Sequence, residues 1–305
     1  MITLTNLEKI YRTKEIETVA LENVNLTVNK GEFLSIMGPS GCGKSTLLNI
    51  IGLLDAPTSG TVEIAGINTI NMNDKQLAEF RNQKLGFVFQ SFHLINSLNV
   101  LDNVELPLLY RKVSAKERRE AAVAVLEKVG LSHRMRHFPT QLSGGQCQRL
   151  VIARALLRSD SAVYIFDEAA SNIDVESEEM IMNVIHELAK TKTVLLISHR
   201  LANVVQSDQI YFLKNGTICE RGTHAELMEQ NGAYRHLYDS QMVLENYGKK
   251  NEMLKTIPPI PLRYIEVKDS LNPTAPPELK QTISPAVSWL SRFSRSALAA
   301  RTWSM

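Results

Sequence analysis

The nine residues GPSGCGKST at positions 38–46 combine a glycine-rich turn with a lysine and three hydroxyl side chains. Gly38, Gly43, Lys44 and Ser45 complete the pattern G-x-x-x-x-G-K-[ST]. Glycines let the backbone curl so that successive N–H groups point at one centre, and a helix that begins there adds its positive end. The pattern therefore predicts a phosphate-binding loop, in which Lys44 reaches the β- and γ-phosphates and Ser45 ligates Mg²⁺.

The sequence on either side of this loop gives the motif the context that it needs. FLSIM before the loop is typical of a buried strand, and KSTLLNIIGLL after it has the periodicity of a helix. The alternative, a glycine-rich turn with a chance lysine, explains neither flank. We therefore predict a strand, a loop and a helix that together bind a nucleotide.

A second group of chemical interest closes the run AVYIFDE at 162–168. A buried strand that ends in carboxylates delivers them to the carboxyl edge of its sheet, where ligands of α/β proteins bind. Asp167 is suited to hold Mg²⁺ through its water shell, and Glu168 to polarise an attacking water as a general base. A solvated acid pair at a loop is the alternative, and it is weaker beside a phosphate loop.

The third motif, LSGGQ at 142–146, is predicted to begin a helix. Ser143 would cap it, Gly144 and Gly145 would let a phosphate approach, and Gln146 opens a stretch with helical periodicity. Standing alone, the motif would be interpreted as a capped helix with spare glycines. Beside the first loop, it indicates a second anion-binding helix start.

Six motifs in one order, GPSGCGKST, FVFQ, LSGGQ, YIFDE, SNID and SHR, give a specific match. Over residues 1–247 the chain resembles the nucleotide-binding subunits of ATP-binding-cassette (ABC) transporters. The alternation of strands with helices before residue 250 independently favours an α/β fold with a mostly parallel sheet. The resemblance implies a P-loop NTPase with a mostly parallel core sheet, an antiparallel β subdomain and a helical subdomain at about 91–158.

The resemblance also assigns roles to single residues. It implies that Gln90 lies in a flexible loop that touches Mg²⁺ and the attacking water, and that His199 contacts the γ-phosphate. Tyr11 would stack on adenine, although plain packing is the commoner role of such a tyrosine, and Asp174 would lie at a dimer contact. The expected catalytic residues are Glu168, His199, Gln90 and Lys44, and the expected Mg²⁺ ligands are Ser45, Gln90 and Asp167. The expected ATP-binding residues are Gly38, Pro39, Ser40, Gly41, Cys42, Gly43, Lys44, Ser45, Thr46, Tyr11, Ser143, Gly144, Gly145 and Gln146.

The same resemblance predicts how such a chain works. LSGGQ of one copy would close over the nucleotide of another, so that a homodimer encloses two ATP molecules and drives membrane permease subunits. Because the cassette starts at residue 1, we expect the permease on separate chains, and this chain at the cytoplasmic face of the inner membrane as a peripheral subunit. The net charge of +2 gives no global signal for nucleic acid.

The alternative function is that of a soluble ABC-type ATPase that acts on DNA or ribosomes. Long coiled-coil insertions, zinc-binding cysteines or two cassettes in one chain would indicate it. The sequence contains three cysteines without metal-type spacing and a single set of motifs. The transporter interpretation is therefore preferred.

The sequence departs from the family pattern in places. Ala169 and Ala170 stand where a proline or alanine and then a threonine are common, and Cys147 replaces a polar residue. Up to about residue 150 the chain resembles stand-alone ATPases of the macrolide-exporter and lipoprotein-release group, and after it the ATPase domains of fused exporters. We therefore expect export, but the substrate does not follow from the sequence.

The segment 248–305 has a different composition from the rest of the chain. Seven of the 11 prolines follow residue 250, and no long periodic run accompanies them. Such a composition predicts a disordered tail outside the cassette of residues 1–247.

Overall fold

The computed structural model describes residues 1–111, 113–157, 161–170 and 173–243. The predicted tail at 248–305 lies outside the described residues. Within them the strands are β1 (Ile2–Arg12), β2 (Glu17–Val28), β3 (Phe33–Met37), β4 (Ser59–Ile64), β5 (Ile67–Asn68), β6 (Leu85–Val88), β7 (Val163–Asp167), β8 (Thr193–Ile197), β9 (Gln209–Lys214) and β10 (Thr217–Gly222). The α-helices are α1 (Lys44–Ile51), α2 (Asp74–Lys84), α3 (Val100–Leu109), α4 (Ala115–Lys128), α5 (Gly144–Leu156), α6 (Val175–Ala189) and α7 (His224–Gln230), and residues 233–243 are also helical.

The larger sheet contains six strands in the order β10-β9-β3-β8-β7-β6. All neighbours in it are parallel except β9 and β10. The strands β3, β7 and β8 are buried along their whole length, as expected of a parallel sheet covered on both faces. Because β3, β8, β7 and β6 are adjacent and parallel, the segments that follow them meet at one edge of the sheet.

The smaller sheet is antiparallel, with the order β2-β1-β4-β5. Its apolar side chains share one core with α1 and with the larger sheet, from Ile2 and Leu21 to Leu47 and Ile36. This arrangement brings the end of β1 close to the start of α1. It confirms the predicted combination of a mostly parallel core with an antiparallel β part.

Strand β1 belongs to the antiparallel β subdomain that only the family resemblance implied, and its side chains do not alternate regularly between buried and exposed positions. The pairing of β1 with β2 changes register three times between Leu4 and Ile10, as at β-bulges. Each bulge shifts the inward and outward positions by one residue. The period of two that identifies a strand is therefore interrupted along β1.

Helices α3, α4 and α5 pack together in a second apolar cluster, which includes Val104, Leu126 and Leu150. Within the described parts of 91–158, the chain forms helices and turns and no strand. Ser143 caps α5 as predicted, through a bond from the Gln146 backbone. Among the described residues, no helix is both long enough and apolar enough to cross a bilayer.

Candidate functional site

The phosphate loop follows β3, and its shape depends on glycine at two points. Gly38 has φ 147°, and a Cβ there would lie 2.1 Å from the carbonyl oxygen of Leu213. Gly43 has φ 105°, and a Cβ there would lie 2.5 Å from the carbonyl oxygen of Ala20. Any side chain at either position would therefore displace neighbouring backbone. The loop therefore needs glycine at these two positions in order to pack, in addition to any need for space beside a bound ligand.

Lys44 is buried inside the loop, with 6% of its surface exposed. Its Nζ donates to the carbonyl oxygens of Gly38, at 2.9 Å, and Pro39, at 2.8 Å. The ammonium is thus held over the N-terminus of α1, whose first turn contains no acidic residue. Two positive features, the ammonium and the helix end, coincide where an anion would bind.

Asp167 ends β7 and is 9% exposed. Its Oδ1 has no hydrogen-bond partner among the described residues. Burial, and then the charge of Glu168, raise the pKa of Asp167 to about 6, although Lys44 and His199 oppose the shift. A buried carboxylate oxygen without a partner fits a hard cation such as Mg²⁺, so the residues present are suited to this ion.

Glu168 lies between two other predicted site residues. Its Oε1 is 2.7 Å from Nε2 of His199, and its Oε2 accepts a bond of 2.8 Å from Nε2 of Gln90. The backbone of Glu168 has φ 50°, a conformation that is uncommon for a glutamate and that is fixed by its N–H bond to the Ile197 carbonyl oxygen, at 3.1 Å. The ends of β6, β7 and β8 therefore bring three predicted residues together, with the carboxylate held in one orientation.

The motif that begins α5 is closed on itself by a capping box. The Gln146 N–H donates to Ser143 Oγ at 3.3 Å, and the Ser143 N–H donates to Gln146 Oε1 at 3.0 Å. Gly144 is exposed, whereas Gly145 is buried against the start of α6, where a Cβ would lie 2.3 Å from Ser177 Oγ and 2.9 Å from Asp174 Oδ2. The LSGGQ helix and the helix start capped by Asp174 are thus in direct contact.

Tyr11, near the end of β1, is 43% exposed. Its hydroxyl donates to Oδ2 of Asp55 at 2.8 Å. Burial, and then the bond to Asp55, raise the pKa of Tyr11, while a bond from Thr46 opposes this. The predicted adenine platform is therefore connected to the first turn of α1.

One group of residues around this site was missed in the sequence. Glu178 is buried, forms an ion pair with Arg200 and accepts a bond of 3.0 Å from Nδ2 of Asn203. Ser198 Oγ in turn accepts from the Arg200 backbone at 3.0 Å. This network anchors both sides of His199. Ser198 and Arg200 belong to the SHR motif, but Glu178 lies 22 positions before Arg200 and in no motif, so that no sequence signal connects it to them.

The two residues that follow Glu168, where the sequence departs from the family pattern, lie beside a cavity or in the core. Ala169 and Ala170 are both buried. A cavity of about 260 Å³ lies beside Glu168 and His199, and Ala170 contributes to its wall. The methyl side chain of Ala170 offers no hydroxyl to this cavity.

Comparisons with known proteins identify similar sequences and folds. A family model described as "ABC transporter" matches residues 21–171. An uncharacterized ABC transporter ATP-binding protein of Bacillus subtilis, YvrO, is 47% identical over 225 residues, which are 73% of this chain and 98% of the relative. The macrolide export ATP-binding/permease protein MacB of Chlorobaculum tepidum is 40% identical over 221 residues, which are 72% of this chain but 34% of that protein.

A solved structure is similar over the same region. It is the dimeric post-hydrolysis state of the ATP-binding cassette MJ0796, bound to ADP and Pi, a protein of Methanocaldococcus jannaschii. The TM-score is 0.70 and the identity 42%, over 73% of this chain and 98% of that chain.

Proposed function

We propose that this chain, which belongs to the ABC transporter family and is one of its ATP-binding and ATP-hydrolysing cassettes, powers export through separate membrane permease subunits. Two copies would close around two ATP molecules with Mg²⁺, and hydrolysis would open them again. The observation that carries the proposal is the placement of Glu168 between Gln90 and His199, at the sheet edge that also presents Lys44.

The arrangement of these side chains supports the following mechanism of hydrolysis. Lys44 and the start of α1 bind the β- and γ-phosphates and offset their charge. Glu168 accepts the proton of the attacking water, and its bonds to Gln90 and His199 keep the carboxylate in one orientation. His199 would contact the γ-phosphate. Asp167, Ser45 and Gln90 would hold Mg²⁺, which would neutralise phosphate charge.

The second anion-binding helix start supports the dimer. Ser143 and Gly144 are exposed at the beginning of α5, and the related MJ0796 cassette is described as dimeric. Because Gly145 packs on Ser177 and Asp174, the LSGGQ motif and the neighbouring helix start would move as one unit. A phosphate bound at Ser143 would thereby also place Asp174 at the dimer contact.

An apolar groove supports a membrane partner. It has a volume of about 620 Å³, lies among α2, β6 and α3, and is lined by residues that include Phe87, Phe89, Pro107 and Tyr110. Tyr110 is 79% exposed, which is unusual for so large an aromatic side chain on a surface without a partner. Since Phe89 directly precedes Gln90, a helix of the permease in this groove would affect the residue that holds Glu168.

Two aspects of the proposal draw on relatives. The direction of export rests on the similarity to proteins such as the macrolide export protein MacB. The peripheral position at the cytoplasmic face of the inner membrane is carried over from the family resemblance alone. The relatives named here are ABC transporter or macrolide export proteins, so an action on DNA or ribosomes is not favoured.

The dimer is tested with the variant Glu168→Gln, whose amide cannot accept the proton of the water. We expect this variant to bind ATP, to hydrolyse it far more slowly than the parent, and to elute as a dimer only with ATP and Mg²⁺. Adding Ser143→Arg should keep nucleotide binding and prevent the dimer, because a bulky side chain then occupies the phosphate position. Parent-like turnover of Glu168→Gln contradicts the assignment of the base. A monomer at saturating ATP, even with the permease present, contradicts the dimer.

The membrane partner is tested separately with Tyr110→Glu. A charge in the groove should reduce the fraction of the chain that sediments with membranes of the source cell, while ATP binding stays unchanged. Glu120→Gln, an exposed change on α4, is the matched control. Equal sedimentation of both variants would exclude this groove as the docking site.

A further inference from the structure

The ring of Tyr11 is held in place by a carboxylate. The Tyr11 hydroxyl donates to Oδ2 of Asp55 at 2.8 Å, across 44 positions of the chain. The hydroxyl oxygen of a tyrosine lies on the axis about which the ring turns, so a bond at this oxygen fixes the direction of the side chain and the position of the ring. The bond to Asp55 therefore holds the exposed ring in place, and a contact on its face is needed to set its plane.

Asp55 is itself anchored on its other oxygen. Its Oδ1 accepts from Lys9 Nζ at 2.6 Å and from the Ala56 N–H at 2.8 Å, while Lys9 also donates to the Ala56 carbonyl oxygen at 2.7 Å. Burial raises the pKa of Asp55, but the bonds from Lys9 and Tyr11 outweigh it and hold this pKa below its ordinary value. Asp55 is thus ionised at neutral pH and remains an acceptor for both partners.

Lys9 has a second contact with the same ring. Its Nζ lies 4.8 Å from the centroid of the Tyr11 ring, within the range of a cation–π interaction. The Lys9 side chain is 12% exposed, so that it is packed in this position and does not sample solvent freely. Because the ammonium occupies one face of the ring, a planar ligand that stacks on Tyr11 takes the opposite face.

Asp55, which holds the Tyr11 hydroxyl, is joined to the phosphate loop through α1. This helix begins at Lys44, and the segment after it is tied back by the bonds of Leu54 N and Asp55 N to the Asn49 carbonyl oxygen, at 2.8 and 3.3 Å. One helix therefore carries the phosphate site at its start and the support of the aromatic ring after its end. The distance between base and triphosphate sites is fixed by α1.

We propose that Asp55 and Lys9 are positioning residues that hold the Tyr11 ring, with one face covered and the other free, in the plane where it stacks on the nucleotide base. This proposal rests on the proposed function, in which Tyr11 binds adenine. It adds that the preference for a large purine base depends on the carboxylate of Asp55. Stacking strength rises with the area of the base, so a ring held in one plane discriminates adenine from a smaller pyrimidine.

The test measures equilibrium binding of ATP, CTP and inorganic tripolyphosphate to the full chain with Mg²⁺. Tyr11→Ala removes the stacking ring and should weaken ATP about tenfold or more. Asp55→Ala and Tyr11→Phe keep the ring but release it from its anchor, and each should weaken ATP by about three- to tenfold and reduce the preference for ATP over CTP. Tripolyphosphate, which has no base, should bind all variants like the parent.

Two further variants sharpen the test. The double variant Tyr11→Phe/Asp55→Ala should bind ATP no more weakly than Asp55→Ala alone, since Asp55→Ala already lacks the bond that Tyr11→Phe removes. Asp74→Ala, a change of an exposed acid on α2, is the control and should match the parent. Tyr11→Phe removes only one oxygen atom, so this variant still tests the proposal if Asp55→Ala does not fold.

The possible failures are distinguishable. If Tyr11→Ala binds ATP like the parent, the stacking role in the proposed function is wrong, and this inference is wrong with it. If Tyr11→Ala weakens ATP but Asp55→Ala and Tyr11→Phe do not, only the positioning role is overturned. Equal weakening of ATP and tripolyphosphate by Asp55→Ala would identify a general structural role and also overturn it.

Discussion

Asp167 offers a stability measurement that is independent of activity. The folded structure raises the pKa of this carboxyl from 3.8 to about 6, mainly by burial. A folded state with the higher pKa binds the proton more tightly than the unfolded state. The protein is therefore most stable below the unfolded pKa, and it loses stability as the pH rises from about 4 to about 6. Replacing Asp167 by asparagine removes this dependence, because the amide has no charge at any pH.

The magnitude follows from the size of the shift. A difference of roughly two pKa units, at about 1.4 kcal/mol each, corresponds to about 3 kcal/mol of lost stability at pH 8. About half of this loss is already present near pH 5, where the unfolded carboxyl is ionised and the folded one is not. We therefore subtract the free energy of unfolding of the parent from that of Asp167→Asn at each pH. This difference should be larger at pH 8 than at pH 5 by roughly 1.5 kcal/mol.

The assay is urea unfolding of both proteins at pH 5 and pH 8, without nucleotide or Mg²⁺. Asp74→Asn, which changes an exposed acid, is the control and should follow the parent at both values. Excess Mg²⁺ with ATP should stabilise the parent more than Asp167→Asn, and the variant should lose Mg²⁺-dependent hydrolysis. The same pH dependence in parent and Asp167→Asn would refute the reasoning, since the carboxyl would then not be the group that titrates.

Three further outcomes are expected. Gly38→Ala places a Cβ 2.1 Å from backbone and should lower the urea midpoint far more than Gly31→Ala, which has φ 80° but no atom within 4 Å; equal losses would exclude the clash. Glu178→Ala leaves Arg200 without its buried partner and should lower kcat while the Kd for ATP stays within about twofold; an unchanged kcat would show that the network does not position the neighbouring histidine. A chain that ends at Lys250 should fold and hydrolyse ATP like the full chain; a loss of folding, followed by circular dichroism, would show that the tail packs on the cassette.

Much of the site could be predicted from the sequence because its chemistry is local. The phosphate loop, the strand-end acids and the capped α5 each consist of consecutive residues, and the backbone geometry of each depends on its own glycines, caps and apolar runs. The prediction that Ser143 caps α5 needed only the residue type and the helical periodicity after it. The roles of Gln90 and His199 needed the family resemblance as well, because neither residue is distinguished by its own surroundings in the sequence.

The limits of α/β pattern recognition appear in β1. Its bulges break the alternation of apolar and polar residues, so that this strand, and with it the position of Tyr11, followed from the resemblance and not from the pattern. The pairing of β1 with its neighbours in the sheet, and not the local pattern, therefore defines this strand.

The sequence by itself determined that this chain is a nucleotide-binding cassette, and it predicts which residues approach the phosphates, because those residues are adjacent in the chain. Only the tertiary structure decided how the remaining parts meet. It placed Glu168 between Gln90 and His199, and it joined Tyr11 to Asp55 across 44 positions. Such contacts depend on the order of strands in the sheet and on the path of α1, and these are set by burial of the whole core. A contact between distant residues has no local spacing, and for that physical reason it could be found only in the folded chain.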